Sequence, residues 1–215
     1  MSVLSHMRVR RQALQRELRV WQNFKEWEET CVPSYCHPNV LAAYVSWARL
    51  FAAVDMARRN GGAGPVLDFG SSTGELGRLL PADWAYHFVE QEEAPAAYLR
   101  KNFPQAVQQT LEGAPAGKYG CVFALDSLEH NEDYPRLIDI LASKLAPGGI
   151  FVLSGPTENA LYKLGRRIAG FDAHYHVSNI DKIESAMSRV LAARAHRTLP
   201  FGVPLFKLSV WSKPG

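Results

Sequence analysis

The chain has 215 residues, of which 47% are hydrophobic and 21% charged, and its formal net charge is +3. This composition supports a full hydrophobic core and excludes a disordered or fibrous protein. Three cysteines are too few for a disulfide framework, so we expect a reducing, cytoplasmic location. We expect neither a membrane span nor a signal peptide, because Arg49 and Asp55 interrupt the longest apolar run and the N-terminus lacks an apolar region.

Residues 1–60 are predicted to form an N-terminal helical cap. Residues 8–29 carry apolar side chains at helical spacing, and a second amphipathic helix is expected over residues 40–59, where the segment NGGAGP ends it. The first nineteen residues hold five arginines against one glutamate. A basic arm of this kind is typical of a solvated helix face, which we favour, or of a segment that contacts nucleic acid or anionic lipid.

From residue 65 onwards the pattern alternates between strands and helices. PVLDFG, AYHFVE, AVQQTL, YGCVFALD and GIFVLSG are predicted as strands, and GELGRLL, APAAYLRKNF and DYPRLIDILASKL as helices between them. This alternation indicates right-handed crossovers and an α/β fold with a parallel sheet covered on both faces. Two short helices are expected at residues 159–169 and 180–191. The final segments RAHRTLPF and FKLSVWS are predicted to pair as antiparallel strands.

The segment VLDFGSSTGELG is expected to form the first strand and a ligand-binding turn. Its glycines, Gly70, Gly74 and Gly77, are spaced four and three residues apart. A dinucleotide site needs its first two glycines only two residues apart, so that the backbone can approach a pyrophosphate. Asp68, at the end of the strand, would repel a pyrophosphate and attract a cationic ligand. The loop therefore disfavours an NAD-dependent oxidoreductase.

The same loop resembles the first motif of the class I S-adenosylmethionine-dependent methyltransferases, which reads acid-x-Gly-x-Gly-x-Gly. Ser72 stands here in place of the middle glycine. Later segments, ALDSLEH after the fourth predicted strand and LAPGGIFVLSGP along the fifth, resemble later motifs of that class in the same order. The resemblance implies a Rossmann-like, seven-stranded, mostly parallel sheet with an antiparallel last strand over residues 61–215. It also implies S-adenosyl-L-methionine as the methyl donor.

The predicted cofactor site gathers residues from several strand ends. Glu90 stands twenty residues after Gly70, where a carboxylate can accept both ribose hydroxyls. Ser72 and Glu75 form an S-x-x-E capping box, which predicts a helix whose first backbone amides face the amino-acid end of the cofactor. The predicted cofactor-binding residues are Asp68, Gly70, Ser71, Ser72, Gly74, Glu90, Gln91, Leu125 and Asp126.

The segment DSLEH places two acids and an imidazole at a strand end. It resembles, more weakly, the Glu-x-x-Glu-His arrangement of the ubiquinone-biosynthesis O-methyltransferases and the small-RNA 2'-O-methyltransferases. That resemblance implies a divalent cation held by Asp126, Glu129, His130 and His174, which would lower the pKa of a bound hydroxyl. In the metal-free alternative, His130 and then His176 are the candidate catalytic bases or substrate contacts. A purely structural role for these residues stays open.

The walls of the acceptor site are expected to come from the helical cap and from a helical insertion, or lid, at residues 156–190. The insertion carries an apolar stripe with basic residues elsewhere on the helix, which is typical of contact with an apolar or anionic acceptor at a membrane surface, or of a helix docked on the core. We expect methyl transfer to a small-molecule or lipid-like acceptor, with oxygen as the favoured acceptor atom. The alternatives are an RNA methyltransferase that uses the basic arm and an inactive, cofactor-binding regulatory protein.

Overall fold

The computed structural model describes residues 2–28, 30–157, 178–200 and 204–214. Strands and helices alternate through the part of the chain that was predicted to do so, except that the helix predicted between the first two strands is absent. The strands are β1 Val66–Phe69, β2 Tyr86–Val89, β3 Val107–Gln108, β4 Tyr119–Leu125, β5 Leu145–Pro156, β6 Ala192–Leu199 and β7 Phe206–Ser212. The helices are α1 Val3–Leu18, α2 Phe24–Trp27, α3 Val32–Tyr35, α4 Val40–Arg59, α5 Glu93–Asn102, α6 Tyr134–Lys144 and α7 Ile180–Met187.

The strands of the described chain form one sheet in the order β3-β2-β1-β4-β5-β7-β6. The five strands from β3 to β5 are joined by parallel pairs, whereas β7 is antiparallel to both of its neighbours. The predicted fold class, with a mostly parallel sheet and an antiparallel last strand, is therefore confirmed.

Both faces of the central strands are buried, whereas the edge strands β3 and β6 are mostly exposed. Successive side chains of a strand point to opposite faces, so Val66 joins the core under α1, α3, α4 and α5, while Leu67 joins the core under α6 and α7. Because both faces are covered, the central strands are continuous apolar runs and lack a polar alternation. This is why the central strands were recognisable in the sequence.

The N-terminal helices depart from the prediction in one place. The single helix expected over residues 8–29 is wrong, because α1 ends at Leu18 and Arg19 takes a left-handed conformation (φ 47°). The chain then turns so that Val20 and Trp27 both enter the core. The second predicted helix is confirmed by α4.

Helix α4 is the helix of the described residues that is long and apolar enough to cross a membrane. In this structure it packs along the sheet, and Trp47, Leu50 and Ala53 lie in the same core as the residues of β1 and β4. A core helix meets the same criteria of length and composition. The proposed boundary between a cap at residues 1–60 and a methyltransferase domain at 61–215 stays a prediction, and the two parts share this core.

The predicted insertion at residues 156–190 is described only at its ends. Its second helix corresponds to α7, which ends at Met187 and not at residue 191. The helix predicted at residues 159–169, together with His174 and His176, lies outside the described residues.

Candidate active site

The candidate site lies at the carboxyl ends of three adjacent strands. Gly70, Glu90 and Asp126 directly follow β1, β2 and β4, which are neighbours in the sheet. The last residue of β1, Phe69, is paired with Val89 on one side. In open α/β sheets, ligands bind in the crevice outside these strand ends. The structure thus brings together residues that the sequence had placed at one site.

In the loop after β1, every second residue from 70 to 74 has a left-handed backbone conformation. Gly70 has φ 72°, Ser72 has φ 50° and Gly74 has φ 72°. A Cβ on Gly70 would stand 2.5 Å from the Cβ of Ser127, and one on Gly74 would collide with the side chain of Leu99. Glycine is therefore required at both positions for conformation and for space. Ser72 occupies the middle left-handed position at a cost of about 1–2 kcal/mol.

The predicted capping box at Ser72 and Glu75 is wrong. An N-cap residue takes an extended conformation, and the left-handed Ser72 does not. Its hydroxyl is buried with no hydrogen-bond partner among the described residues. The helix predicted from GELGRLL is also wrong, because only a short 3-10 turn, Gly77–Leu79, forms there. Glu75 points instead into the protein, toward Arg10.

Asp68 is buried beneath this loop. Its side chain is 3% exposed, and its Oδ2 accepts a hydrogen bond from the Tyr86 hydroxyl at 2.7 Å. Burial raises the pKa of Asp68 to about 7, the hydrogen bond from Tyr86 acts to lower it, and the nearby Glu90 raises it further. Asp68 therefore titrates near neutral pH, and a cation bound above it would favour its charged form.

Glu90 is oriented by three backbone amides. Its Oε2 accepts from the Ser72 N–H at 2.7 Å, and its Oε1 accepts from the N–H groups of Gln91 at 2.9 Å and Glu92 at 3.1 Å. Burial raises the pKa of Glu90, while these amide hydrogen bonds lower it. The carboxylate is thus held at the glycine loop, where the prediction places the ribose. The side chain of Gln91 is exposed.

Two further predicted residues support the site from below. Ser71 is buried, and its hydroxyl donates to the carbonyls of Asp68 at 3.4 Å and Val89 at 3.3 Å, so it ties the loop to the ends of β1 and β2. Leu125 is buried at the end of β4. In the part of the chain that the structure describes, Ser71 and Leu125 therefore have a structural role.

Arg49 belongs to the site and was missed as a functional residue. It is 2% exposed, and its Nη1 forms an ion pair with Asp126. The guanidinium lies 5.0 Å from the ring centroid of Phe206, and its Nε and Nη2 have no hydrogen-bond partner among the described residues. Buried guanidinium donors without a partner are costly, so this free edge is suited to a planar oxyanion. The sequence signal was a charged residue inside an apolar helix.

Asp126 is held in position by this pairing. It has φ 53°, and its Oδ1 accepts from the Ser154 hydroxyl at 2.8 Å. Among the described residues, no group of three or more His, Cys, Asp or Glu side chains is arranged to hold a metal ion. With the guanidinium of Arg49 against Asp126, a cation at this carboxylate is disfavoured electrostatically. The metal assignment stays a prediction, since its ligand His174 lies outside the described residues.

The predicted catalytic base His130 lies on a 3-10 turn, Leu128–His130, that follows β4. Its side chain is exposed, whereas the adjacent Glu129 is 1% exposed. His176, the second candidate base, lies outside the described residues. The structure thus places His130 next to the strand ends, and its catalytic role stays a prediction.

Helix α1 packs on the glycine loop through a charged network. Arg10 donates to Glu75 through Nε at 3.0 Å and through Nη2 at 2.6 Å. Its Nη2 also lies 3.3 Å from the Tyr98 hydroxyl, which donates to Glu17 at 2.6 Å. Thr73, in the loop below, is fully buried. These contacts attach the N-terminal helix to the glycine loop.

Two arginines of the basic arm, residues 1–19, bind other parts of the protein. Arg10 is engaged by Glu75, and the guanidinium of Arg11 donates to the carbonyl oxygen of His37 at 2.7 and 3.1 Å. The remaining three arginines, Arg8, Arg16 and Arg19, are exposed. The arm therefore has a structural role in attaching α1 to the rest of the protein.

A glycine loop at the end of β1, an acid at the end of β2 and this strand order together define a class I S-adenosylmethionine-dependent methyltransferase. The family model described as "Methyltransferase domain" matches residues 42–190. The chain belongs to this methyltransferase family, and the resemblance seen in the sequence is confirmed. No curated protein sequence matches the chain.

Solved methyltransferase structures share the fold at low sequence identity. The N-methyltransferase NodS from Bradyrhizobium japonicum WM9, in complex with S-adenosyl-L-homocysteine, is 15% identical with a TM-score of 0.66, covering 95% of this chain and 98% of its own. Magnesium protoporphyrin IX methyltransferase (ChlM) from Synechocystis PCC 6803, also with bound S-adenosyl-L-homocysteine, is 17% identical with a TM-score of 0.64, covering 90% and 95%. At these identities the similarity concerns the fold.

Proposed function

We propose that the protein transfers the methyl group of S-adenosyl-L-methionine to a small-molecule acceptor that enters between the sheet edge and the N-terminal helices. The observation that carries this proposal is the attachment of α1 to the glycine loop through Arg10 and Glu75. A cofactor loop covered in this way suits a compact acceptor better than a macromolecule. NodS and ChlM are named for an N-methyltransferase activity and for a porphyrin substrate, which are consistent with this class of acceptor.

The charges of the site fit each part of the cofactor. Asp68 suits the cationic end of the molecule, and Glu90 suits the two ribose hydroxyls. The Nε and Nη2 of Arg49, which have no hydrogen-bond partner in the part of the chain that the structure describes, suit the carboxylate of the methionyl group, because a guanidinium edge binds a carboxylate through two parallel hydrogen bonds. We therefore add Arg49 to the predicted cofactor-binding residues.

The chemistry requires little from the protein beyond positioning. The cofactor supplies an electrophilic methyl group on a sulfonium. Holding an acceptor in line with it can account for roughly 7–11 kcal/mol of barrier reduction. For an oxygen acceptor that must lose a proton, His130 remains the proposed base, with an expected contribution of about 10²–10⁴ in rate. Oxygen as the methylated atom rests on the segment DSLEH alone.

Isothermal titration with S-adenosyl-L-homocysteine tests the cofactor assignment. We expect binding by the wild-type chain, none of NADH, and a loss of at least about tenfold in affinity for Arg49→Lys, because lysine cannot supply the two-pronged contact. The matched control is Arg59→Lys on the same helix, where the arginine side chain is 77% exposed. Unchanged affinity in Arg49→Lys would contradict the role given to that residue, and absence of binding would contradict the function.

The RNA alternative makes a different prediction. An arm that binds RNA would give affinity that falls steeply with salt. We expect that the intact protein does not retain a labelled single-stranded RNA in a salt-dependent way. We also expect that replacing the exposed Arg8, Arg16 and Arg19 by glutamine leaves cofactor binding unchanged. Salt-dependent RNA binding that these three changes abolish would favour the RNA methyltransferase over the small-molecule enzyme.

A further inference from the structure

Large apolar side chains are exposed on the outer side of the N-terminal helices. Of the seven large apolar side chains that are exposed in the described residues, one, Val107, lies on the edge strand β3. The other six belong to residues 4–41, and they are Leu4, Val9, Trp21, Phe24, Val40 and Leu41. A single exposed apolar side chain is common, but a concentration of them marks an interaction surface.

The first turn of α4 borders α1. The guanidinium of Arg11 on α1 donates to the carbonyl oxygen of Pro38 at 3.2 Å, two residues before α4 begins. Val40 and Leu41 are the first two residues of α4. Arg11 is seven residues, or about two helical turns, from Leu4, so both lie on one side of α1. The exposed apolar residues of α1 and α4 therefore border one surface.

The outer side of α1 also carries uncompensated positive charge. Arg8, Arg16 and Arg19 are exposed and follow one another at intervals of eight and three residues, which places them on one side of the helix. None of them forms an ion pair with another residue that the structure describes. The one acid of α1, Glu17, accepts a hydrogen bond from the Tyr98 hydroxyl at 2.6 Å. The net charge of this side is therefore positive, which favours an anionic partner.

An aromatic pair extends this surface beyond α1. Trp21 and Phe24 follow the turn at Arg19 and stack on each other, with ring centroids 6.0 Å apart and ring planes at 11°. Beside them, the exposed Lys25 and Glu26 balance each other in charge. Tryptophan and phenylalanine next to arginines are typical of segments that lie at the boundary between water and lipid.

The apolar side chains favour a lipid surface over a nucleic acid. A single-stranded nucleic acid stacks its bases on the free faces of aromatic rings. Here the two aromatic rings of the surface stack on each other, and the other four apolar side chains are aliphatic. Aliphatic side chains add affinity when they enter the acyl region of a bilayer, while arginines bind the anionic headgroups.

We propose that this outer surface, formed by Arg8, Arg16 and Arg19 with the six exposed apolar side chains, binds an anionic lipid membrane. Arg10, which binds Glu75 of the glycine loop, is two residues from Arg8 and so points to the opposite side of α1. The surface and the cofactor loop therefore lie on opposite sides of this helix, and lipid binding does not depend on methyl transfer.

Flotation of the full chain with lipid vesicles tests the surface. We expect binding to phosphatidylcholine vesicles that contain about one third phosphatidylserine, and at least about tenfold weaker binding to phosphatidylcholine alone or in about 0.5 M salt. Each arginine near an anionic surface contributes about fivefold, so replacing the three arginines of the surface by glutamine should weaken binding about a hundredfold. The matched control combines Arg58→Gln, Arg136→Gln and Arg189→Gln, at exposed arginines on other elements, and should stay within about threefold of the wild type.

The apolar side chains are tested separately. Leu4→Ser combined with Val9→Ser should weaken vesicle binding at least about tenfold, because both side chains lose their contact with the acyl chains. Val107→Ser, at the exposed apolar residue of β3, is the matched control and should leave vesicle binding unchanged. S-adenosyl-L-homocysteine is titrated into every variant, so that a loss of fold or of cofactor binding is seen separately from a loss of lipid binding.

Three results would overturn the proposal directly: absence of binding to the anionic vesicles, equal binding to the neutral vesicles, or an arginine variant that binds like its control. Retention of RNA without vesicle binding would also overturn it and would assign the surface to nucleic acid. Sedimentation equilibrium tests the remaining occupant. A dimer that dissociates in the Leu4 and Val9 variant, without vesicle binding by the wild type, would assign the surface to a second copy of the chain.

Discussion

The titration of Asp68 makes the binding of S-adenosyl-L-methionine dependent on pH. Burial raises the pKa of this carboxyl to about 7, so the ligand-free protein holds it mostly protonated at pH 6 and mostly charged at pH 8. A cationic ligand binds the charged form better. We therefore expect the affinity to rise with pH up to about 7 and to level off above it, with up to about a tenfold change per pH unit on the rising limb.

The stability of the ligand-free protein has the opposite dependence. Because the pKa of Asp68 is higher in the folded chain than in the unfolded chain, the folded state binds more protons between the two values. The contribution of this residue to the free energy of unfolding therefore falls as pH rises from about 4 to about 7 and is constant above that. Cofactor binding should accordingly release a proton near pH 6.

Two substitutions separate Asp68 from the other titrating groups. Asp68→Asn should remove the rising limb and leave weak affinity at every pH. Tyr86→Phe removes the hydrogen bond that lowers the pKa of Asp68, so it should move the midpoint of the limb to higher pH. Tyr119→Phe is the control, since the hydroxyl of Tyr119 contacts His87 and not Asp68.

The measurement is isothermal titration with S-adenosyl-L-methionine from pH 5.5 to 8.5, in buffers of different ionisation enthalpy so that released protons are counted. A wild-type affinity that is flat between pH 6 and 8 would refute the reasoning. So would an Asp68→Asn variant that keeps the wild-type pH profile, or a midpoint that moves to lower pH in Tyr86→Phe.

Further predictions concern the glycine loop and its cover. Ser72→Gly relieves a left-handed serine and removes a buried hydroxyl that has no partner among the described residues. We expect it to stabilise the protein by about 1 kcal/mol, which raises the melting temperature by about 2–4 °C, and to retain cofactor binding. A fall in melting temperature would count against this explanation. Arg10→Met leaves the buried Glu75 without its main partner and should cost about 3 kcal/mol in urea unfolding, whereas Arg16→Met on the exposed face should cost less than about 0.5. Adding Glu75→Leu to Arg10→Met should restore most of that stability, and a double variant as unstable as the single one would exclude the ion pair as the cause.

The sheet and the position of the site could be predicted from local sequence. Strands buried on both faces are continuous apolar runs, and a parallel sheet places all of their carboxyl ends at one edge. The glycine spacing and Asp68 indicated the ligand class because conformation and charge at a tight turn are local properties. Glu90 could be placed because the length of one crossover sets its distance from Gly70.

The tertiary structure decided the features that depend on distant partners. Glu75 has the sequence context of a helix cap, yet it turns inward because Arg10, 65 residues earlier, provides an ion pair for it. Distant packing also ends α1 at Leu18, because the turn that follows allows Val20 and Trp27 to be buried in the core. Local patterns specify neither outcome.

Arg49 illustrates the limit most clearly. In the sequence it was only a charge that argued against a membrane span, because its partner Asp126 is distant along the chain and adjacent only once α4 packs on the sheet. The sequence by itself determined the fold class, the edge of the sheet at which the site lies and the identity of the methyl donor. The tertiary structure alone decided which buried charges meet there, because the energy of a buried charge depends on neighbours that folding brings within a few ångströms.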